Sequence, residues 1–127
     1  MHNKKILNVL NLPSNERFDY FIRKVCDFEE IWGLFNDGWA MSEMDNKNTV
    51  MSFWPEKEFA SLCASGSWLG YEPKLIPLKE YIQRWLEGME KDNVHAGVFQ
   101  TPDDKAVVIS ALKLKQLLQE ELENYES

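Results

Sequence analysis

The spacing of apolar residues constrains the fold of this chain more than any other sequence feature, because its period changes along the chain. Residues 18–26 carry apolar side chains at i, i+3, i+4, i+7 and i+8, which predicts one buried face of an amphipathic helix. Residues 78–89 repeat that period, and Pro77 precedes them. Short runs rich in β-branched and aromatic residues lie between and after these stretches and predict strands. A chain with both periods is expected to fold as a mixture of helices and strands.

Turn signals separate the predicted strands in the first half of the chain. Residues 31–36 are rich in strand formers, the Asp37-Gly38 pair is typical of a hairpin turn, and residues 39–44 predict the returning strand. A second turn over residues 45–48 and a strand over residues 50–54 complete a predicted meander of three strands. Large apolar groups on both faces of residues 31–35 indicate a strand that is covered on both sides.

The remaining elements follow from similar local signals. We expect helices over residues 4–10, from Ser14 as N-cap, over residues 55–64 and from Pro77, with a loop over residues 65–74. Strands over residues 94–99 and 106–109 form a second hairpin, and Ser110 caps a final helix. The predicted fold class is α+β, with a mainly antiparallel sheet of about five strands packed with four to five helices. A chain of 127 residues fits a single domain, residues 1–127.

The charge of the chain limits its partners. Twenty-one acidic and 14 basic side chains give a net charge of -7, and neither half of the chain is basic. We therefore expect no nucleic-acid binding, which needs clustered Lys and Arg, and no binding to an anionic membrane surface. No apolar run approaches the length of a membrane-spanning helix, and the N-terminal residues do not resemble a signal peptide, so a cytoplasmic protein is expected. An acidic surface favours solubility or, alternatively, the steering of a basic protein partner.

Side chains that could perform chemistry are few. Cys26 and Cys63 have no metal-ligand spacing and are predicted to face the core, where a thiol behaves as a small apolar group. His95 stands at the start of a predicted strand without a partner at a fixed spacing, whereas a metal site needs three or four convergent ligands. The sequence therefore predicts no catalytic residue, no metal site and no cofactor.

Tryptophan is unusually frequent, with five residues at positions 32, 39, 54, 68 and 85. One interpretation is that these rings fill the core of a small domain. The alternative is that several of them rim one pocket whose acidic neighbours favour a cationic or basic ligand. The candidate binding residues of this pocket are Trp39, Trp54, Trp68, Tyr71, Asp37 and Glu56. Glu43 and Glu72 lie near them in the sequence and would add to its negative charge.

The aromatic and apolar positions also form a pattern over nearly the whole chain. It comprises Arg17-Phe18, Tyr20-Phe21-Ile22, Val25, Asp27, Ile31-Trp32-Gly33-Leu34, Gly38-Trp39, Phe53-Trp54-Pro55, Phe59-Ala60, Ile76-Pro77-Leu78, Tyr81-Ile82, Trp85-Leu86 and Gly97-Val98-Phe99. In this pattern the sequence resembles the bacterial family called domain of unknown function 2750. The resemblance implies a small, stand-alone bacterial cytoplasmic protein, and it carries over no catalytic residue.

Three functional hypotheses remain open at this point. The first is a non-enzymatic, regulatory module that binds a protein or peptide, one variant being an immunity-type inhibitor of a basic toxin. The second is a small-molecule-binding domain or an enzyme with a site near Trp54 and His95. The third is that exposed aromatic residues form the seam of a homodimer.

Overall fold

A computed structural model of the protein describes residues 3–43 and 48–126. The helices are α1 (Asn3–Leu10), α2 (Ser14–Phe28), α3 (Lys57–Leu62), α4 and α5 (Ala111–Glu126). Helix α4 is continuous over Leu78–Glu80, a π-helical turn at Tyr81–Trp85, and Leu86–Lys91. The strands are β1 (Glu30–Phe35), β2 (Met41–Glu43), β3 (Thr49–Phe53), β4 (Glu72–Pro77), β5 (Val94–Val98) and β6 (Val107–Ile109). These elements confirm the predicted α+β class.

The strands form two sheets, which corrects the predicted single sheet. Strands β1 and β4 pair antiparallel, and the other four form a mixed sheet in the order β2-β3-β5-β6. Strands β3 and β5 are parallel, while β2 and β6 pair antiparallel at the two edges. The prediction of a mainly antiparallel sheet of about five strands is therefore wrong in detail. The reason is the long crossover over residues 54–93, which contains α3 and α4 and lets β5 run in the same direction as β3.

The predicted three-strand meander is only partly present. The chain turns at Asp37-Gly38 as expected, since the Ala40 N–H donates to the Leu34 carbonyl at 2.8 Å. Beyond this turn β1 forms its ladder with β4 rather than with β2, whereas β2 pairs antiparallel with β3 as the meander predicts. Strand β1 meets the mixed sheet through a bridge between Trp32 and Trp54. Residues 44–47, where we predicted the end of the returning strand and the second turn, lie outside the described residues.

Strand β4 lies partly where we predicted a loop. Pro73 and Pro77 argue against a strand, because proline cannot donate a ladder hydrogen bond. Within the described part of the chain, however, β4 pairs with β1 alone. An edge strand tolerates prolines whose missing N–H groups face away from the partner.

Helix α2 buries more than its predicted face. Phe21, Val25 and Cys26 are buried as expected, but Arg17 and Tyr20 are also only 2% and 8% exposed. The reason is that α2 packs against α5 and β6 as well as against β1, so its buried surface is wider than one apolar stripe.

The two predicted N-caps have different outcomes. Ser14 is the first residue of α2 rather than its cap, because Pro13 occupies the cap position without a side-chain hydrogen bond. Ser110 caps α5 as predicted, since its Oγ accepts a hydrogen bond of 3.1 Å from the Lys113 N–H. Across the described residues, no helix has both the length and the apolar character needed to span a bilayer.

Candidate functional site

A groove of about 740 Å³ lies over the face of the mixed sheet that carries Ser42, Ser52 and Val108. These residues share a face because Ser42 stands opposite Val50 on β3, while Ser52 and Val108 stand opposite Gly97 on either side of β5. The loop over residues 100–106 forms one wall of the groove. The opposite face of the sheet is occupied by the hydrophobic core.

A second depression of about 480 Å³ adjoins the first. Both are lined by Ser42, Gln100 and Pro102, and the second adds Met41 and Trp68 on its far side. We call the two together the double groove. Serine hydroxyls, the Gln100 amide and two apolar side chains thus line a continuous surface beside the edge strand β2.

The loop wall of the double groove is held from behind by a buried arginine. The guanidinium of Arg17 donates to the carbonyls of Leu12 at 2.9 Å, Phe99 at 3.3 Å and Lys105 at 3.2 Å. It also lies 3.0 Å from a carboxylate oxygen of Asp104, whose side chain is 52% exposed. A buried guanidinium must have its N–H groups satisfied, and here the Phe99 and Lys105 carbonyls at the loop, the Leu12 carbonyl before α2 and the Asp104 carboxylate accept from it.

Two further buried side chains reach the same loop at the Gln100 carbonyl. The Trp54 indole N–H donates to it at 2.8 Å, and the Cys63 thiol donates at 3.3 Å. Phe99, the residue before, has a φ of 58°, a left-handed conformation that is rare for a bulky residue. Its N–H donates to the Phe53 carbonyl at 3.0 Å, so the unusual conformation is fixed by its surroundings. The wall of the double groove is therefore preorganised.

Electrostatics give the groove an acidic rim. Glu43, Asp103 and Asp104 line it, and among the described lining residues Lys105 opposes them. The Arg17 guanidinium, which hydrogen-bonds the Asp104 carboxylate, and the Lys105 backbone N–H hold the pKa of Asp104 below its usual value. The Asp104 carboxylate is thereby kept ionised at neutral pH and presents negative charge to anything that enters the groove.

The thiols of the chain are not activated for chemistry. Burial raises the pKa of Cys63 to about 11, with the nearby Trp54 indole opposing the shift. Burial, and then the charge of Glu121, raise the pKa of Cys26 to about 12. Both thiols are protonated at neutral pH, and a thiol is far less nucleophilic than a thiolate. Over residues 3–43 and 48–126, no three His, Cys, Asp or Glu side chains converge as metal ligands would.

The four aromatic residues of the predicted pocket lie in two places. Trp54 is fully buried, and its ring meets the half-buried Trp68 edge to face at 6.1 Å. Tyr71 is half-buried beside them and donates its N–H to the Trp68 carbonyl. Trp39 belongs to a separate cluster, in which its ring packs on Trp85 at 4.8 Å. Of the four, Trp68 alone lines the double groove.

The acidic candidates are also separated. Glu56 precedes α3 and accepts a hydrogen bond from the Tyr20 hydroxyl of α2. Burial of Tyr20, together with this bond, raises the pKa of that phenol well above its ordinary value. Asp37 is exposed in the turn before Trp39. Glu56 thus ties two helices together, whereas Asp37 is available to solvent.

His95 and Trp54 stand at different positions along the mixed sheet. In the parallel β3–β5 pair, His95 stands opposite Val50, whereas Trp54 directly follows β3 and lies four residues after Val50. At the strand rise of about 3.3 Å per residue, this separation is about 13 Å. Among the described residues, the buried Nδ1 of His95 has no hydrogen-bond partner.

Sequence reasoning missed the residues that build the groove wall. Gln100 acts through its backbone carbonyl, which no residue pattern reveals. Arg17 had a readable signal, because it stands four residues before Phe21 and therefore on the predicted apolar face of α2. A charged residue on a predicted apolar face either is buried with hydrogen-bond or ion-pair partners, or shows that the face was assigned wrongly.

Together, the fold and the double groove define a small α+β protein with an acidic, polar groove at the edge of a mixed sheet. The chain belongs to the family described as "Protein of unknown function (DUF2750)", whose profile matches residues 18–118. The matched range contains every strand and all residues that line the double groove. No curated protein matches the sequence.

Proposed function

We propose that this protein is a non-catalytic binding module that takes an extended, basic segment of a protein partner into the double groove. The observation that supports this most is the outer edge of β2, which lies beside the groove. The Ser52 N–H donates to the Ala40 carbonyl, so Ala40–Ser52 and Ser42–Val50 are hydrogen-bonded pairs. Because such pairs alternate in an antiparallel ladder, the backbone N–H and C=O groups of the neighbouring residues point away from β3.

Those outward groups belong to Met41 and Glu43. Among the described strands β2 has β3 as its partner, and all three of its residues are exposed, which favours addition of a strand at its other edge. An incoming peptide that pairs with an edge strand gains main-chain hydrogen bonds without needing a particular sequence. Side chains that alternate along such a peptide would then face the groove in turn.

Charge and apolar contact together define the class of partner. The carboxylates of Glu43 and Asp103 favour lysine or arginine side chains, chiefly by accelerating association and excluding acidic partners. Met41 and Val108 are 44% and 41% exposed at the groove and supply apolar contact. A segment that alternates basic and apolar residues satisfies both requirements.

The buried support of the loop strengthens this proposal. Arg17, Trp54 and Cys63 fix the wall by bonds to backbone carbonyls, so the wall loses little freedom when a ligand binds. A preformed surface binds more tightly than a mobile one with the same contacts, because less ordering entropy is lost.

A titration monitored by ¹H–¹⁵N NMR tests the proposal. The probe is a short capped peptide of alternating lysine and leucine, and the control peptide replaces each lysine by glutamate. We expect the basic peptide to shift the amide signals of Ser42, Gln100 and Asp103, and the acidic peptide to leave them unchanged. Absence of shifts, or shifts spread evenly over α4 and α5 as well, would contradict the proposal.

Two single charge reversals distinguish the effect of charge in the groove from the effect of the protein's net charge. Asp103→Lys places the opposite charge in the groove, whereas Glu87→Lys makes the same change on the exposed side of α4. Asp103→Lys is expected to weaken binding of the basic peptide by about three- to fivefold more than Glu87→Lys does. Equal losses would mean that the peptide responds only to the total charge of the protein.

A second copy of this chain is the competing occupant of the β2 edge. Sedimentation equilibrium distinguishes the two occupants. The proposal expects a monomer whose β2 edge is available to the peptide. A dimer that the basic peptide does not dissociate would replace the proposal with self-association through β2.

A further inference from the structure

The two-stranded sheet carries a different kind of surface. Phe35 and Trp39 meet edge to face at 5.1 Å, and Trp39 meets Trp85 in the same way at 4.8 Å. All three rings are half-buried, and we call them the aromatic platform. The ammonium nitrogen of Lys74 lies 4.1 Å from the centre of the Phe35 ring and 5.6 Å from that of Trp39. Both distances are within cation–π range.

Backbone register explains how the platform forms. Lys74 on β4 stands directly opposite Gly33 on β1, and Phe35 follows two residues later on the same face. A Cβ at Gly33 would lie 2.9 Å from two carbons of the Trp39 ring, closer than carbon atoms approach. Glycine at this position therefore lets the Trp39 ring lie against β1, next to the Lys74 side chain.

Among the described residues, the Phe35 and Trp39 rings are the groups that hold the Lys74 ammonium on the platform. Its side chain is exposed, and none of the carboxylates in the described residues lies within ion-pair distance of its ammonium group. An exposed cation–π contact of this kind is weak. Another cation that binds aromatic faces more strongly can therefore displace it.

We propose that the aromatic platform is a binding site for a quaternary ammonium group, and that Lys74 is its built-in competitor. A primary ammonium is strongly hydrated, whereas methylated ammonium groups are the cations that aromatic faces recognise best in proteins. Glu72 stands opposite Phe35 in the strand register, and Asp37 is exposed in the turn before Trp39. These two carboxylates add the negative potential that a permanent cation needs.

This site is separate from the double groove and lies on the other sheet. A quaternary ammonium group can be carried by a choline-type small molecule or by a trimethylated lysine of a protein. The shared chemistry defines the site, and the two sources are compared directly in the experiment. Failure of the basic peptide to bind the double groove would leave this proposal intact, and the reverse also holds.

The test follows the five indole N–H signals by ¹H–¹⁵N NMR. Choline chloride is the probe, and 3,3-dimethylbutan-1-ol, which has the same shape without the charge, is the matched control. We expect choline to shift the Trp39 and Trp85 signals while the neutral alcohol does not. A peptide with one trimethyl-lysine is titrated in parallel, and tighter binding of the peptide than of choline identifies a protein source.

Removal of Lys74 distinguishes competition from simple packing. Lys74→Met keeps an apolar stem and removes the charge, so choline is expected to bind about two- to fivefold more tightly, the factor that one lost exposed cation–π contact represents. Lys79→Met removes an exposed charge from α4 and is expected to change nothing. Lys74→Gln serves as an independent removal of the charge. Equal shifts by choline and the neutral alcohol, or equal choline affinity with and without Lys74, would overturn the proposal.

Discussion

The two sheets of this protein present surfaces that are built in opposite ways. At the double groove, side chains that lie behind the surface hold a backbone loop, and the main anchor, Arg17, is 2% exposed. At the aromatic platform, the rings hold one another, and the contacting cation is an exposed lysine. A change at Arg17 is therefore expected to alter the stability of the whole domain, whereas the Lys74 contact of the platform can be changed at the surface.

Replacement of the buried arginine is expected to have the largest effect. Arg17→Met removes hydrogen bonds to three carbonyls, and we expect the free energy of unfolding to fall by about 3 kcal/mol. The loss stays near this value because Asp104 is half-exposed and is not left as a buried, unpaired charge. Urea denaturation followed by circular dichroism measures the change.

Arg23→Met is the matched control for Arg17→Met. Arg23 lies on the same helix, is exposed, and donates one hydrogen bond to the Asp19 carbonyl. Its replacement is expected to change stability by less than about 0.5 kcal/mol. If the two variants were equally stable, the loop would not depend on the buried guanidinium.

The next largest expected effect is on the alkylation rate of Cys63, a residue that lines the second depression of the double groove. The pKa of Cys63 is raised from 9.0 to about 11, so its thiolate fraction at neutral pH is about a hundredfold below that of an unperturbed thiol. Iodoacetamide is therefore expected to alkylate Cys63 about a hundredfold more slowly in the native protein than in urea. Peptide mapping by mass spectrometry gives the rate at each cysteine.

Cys26 provides the internal comparison for that rate. Its pKa is raised to about 12, so it is expected to react more slowly still. Fast alkylation of Cys63 in the native protein would show an accessible thiolate beside the groove, and the claim of a purely non-catalytic surface would have to be given up.

Substitution of Gly33 tests the packing of the aromatic platform. Gly33→Ala forces the Trp39 ring to move and is expected to cost about 1–3 kcal/mol of stability, as overpacking does. Gly38→Ala, at the nearby turn, meets nothing within 4 Å and is expected to be nearly neutral. Urea denaturation measures the stability of both variants. Their ¹H–¹⁵N NMR spectra report the Trp39 indole signal, which should move in Gly33→Ala only. A neutral Gly33→Ala would mean that the ring is not seated on β1 as described.

Several elements were predictable because their signals are local. The apolar periods of α2 and α4, the Ser110 cap and the β5–β6 hairpin all follow from residues close together in the sequence. The β1–β4 pairing was not predictable, since it joins distant residues and the prolines of β4 argue against a strand. A parallel β3–β5 pair likewise depends on how the crossover packs, which no short pattern specifies.

The candidate site was less predictable than the fold. Tryptophan content pointed to aromatic recognition, yet Trp54 is fully buried and contributes an N–H to the loop rather than a face to a ligand. The groove wall consists largely of carbonyls that side chains hold from behind, and backbone positions leave no mark in composition. Lys74 was also missed, because its contact with Phe35 depends on the β1–β4 register.

The smallest expected effect concerns the ion pair between buried Arg17 and half-exposed Asp104. The pKa of Asp104 is depressed below 3.8 in the folded state, so its stabilising contribution is present above that pH and is lost as the pH falls through the depressed value. Wild type is therefore expected to be slightly more stable than Asp104→Asn at neutral pH, and the difference should vanish in strong acid. Urea denaturation of both proteins across this pH range measures it, and a difference that persists in acid would assign the effect to something other than ionisation.

Amide hydrogen exchange along β2 tests the central claim most directly. The lysine–leucine peptide is expected to slow exchange at Met41 and Glu43, whose N–H groups point away from β3, and to leave Ser42, which already donates to β3, unchanged. If the peptide binds and exchange at Met41 and Glu43 does not slow, strand addition at this edge is wrong.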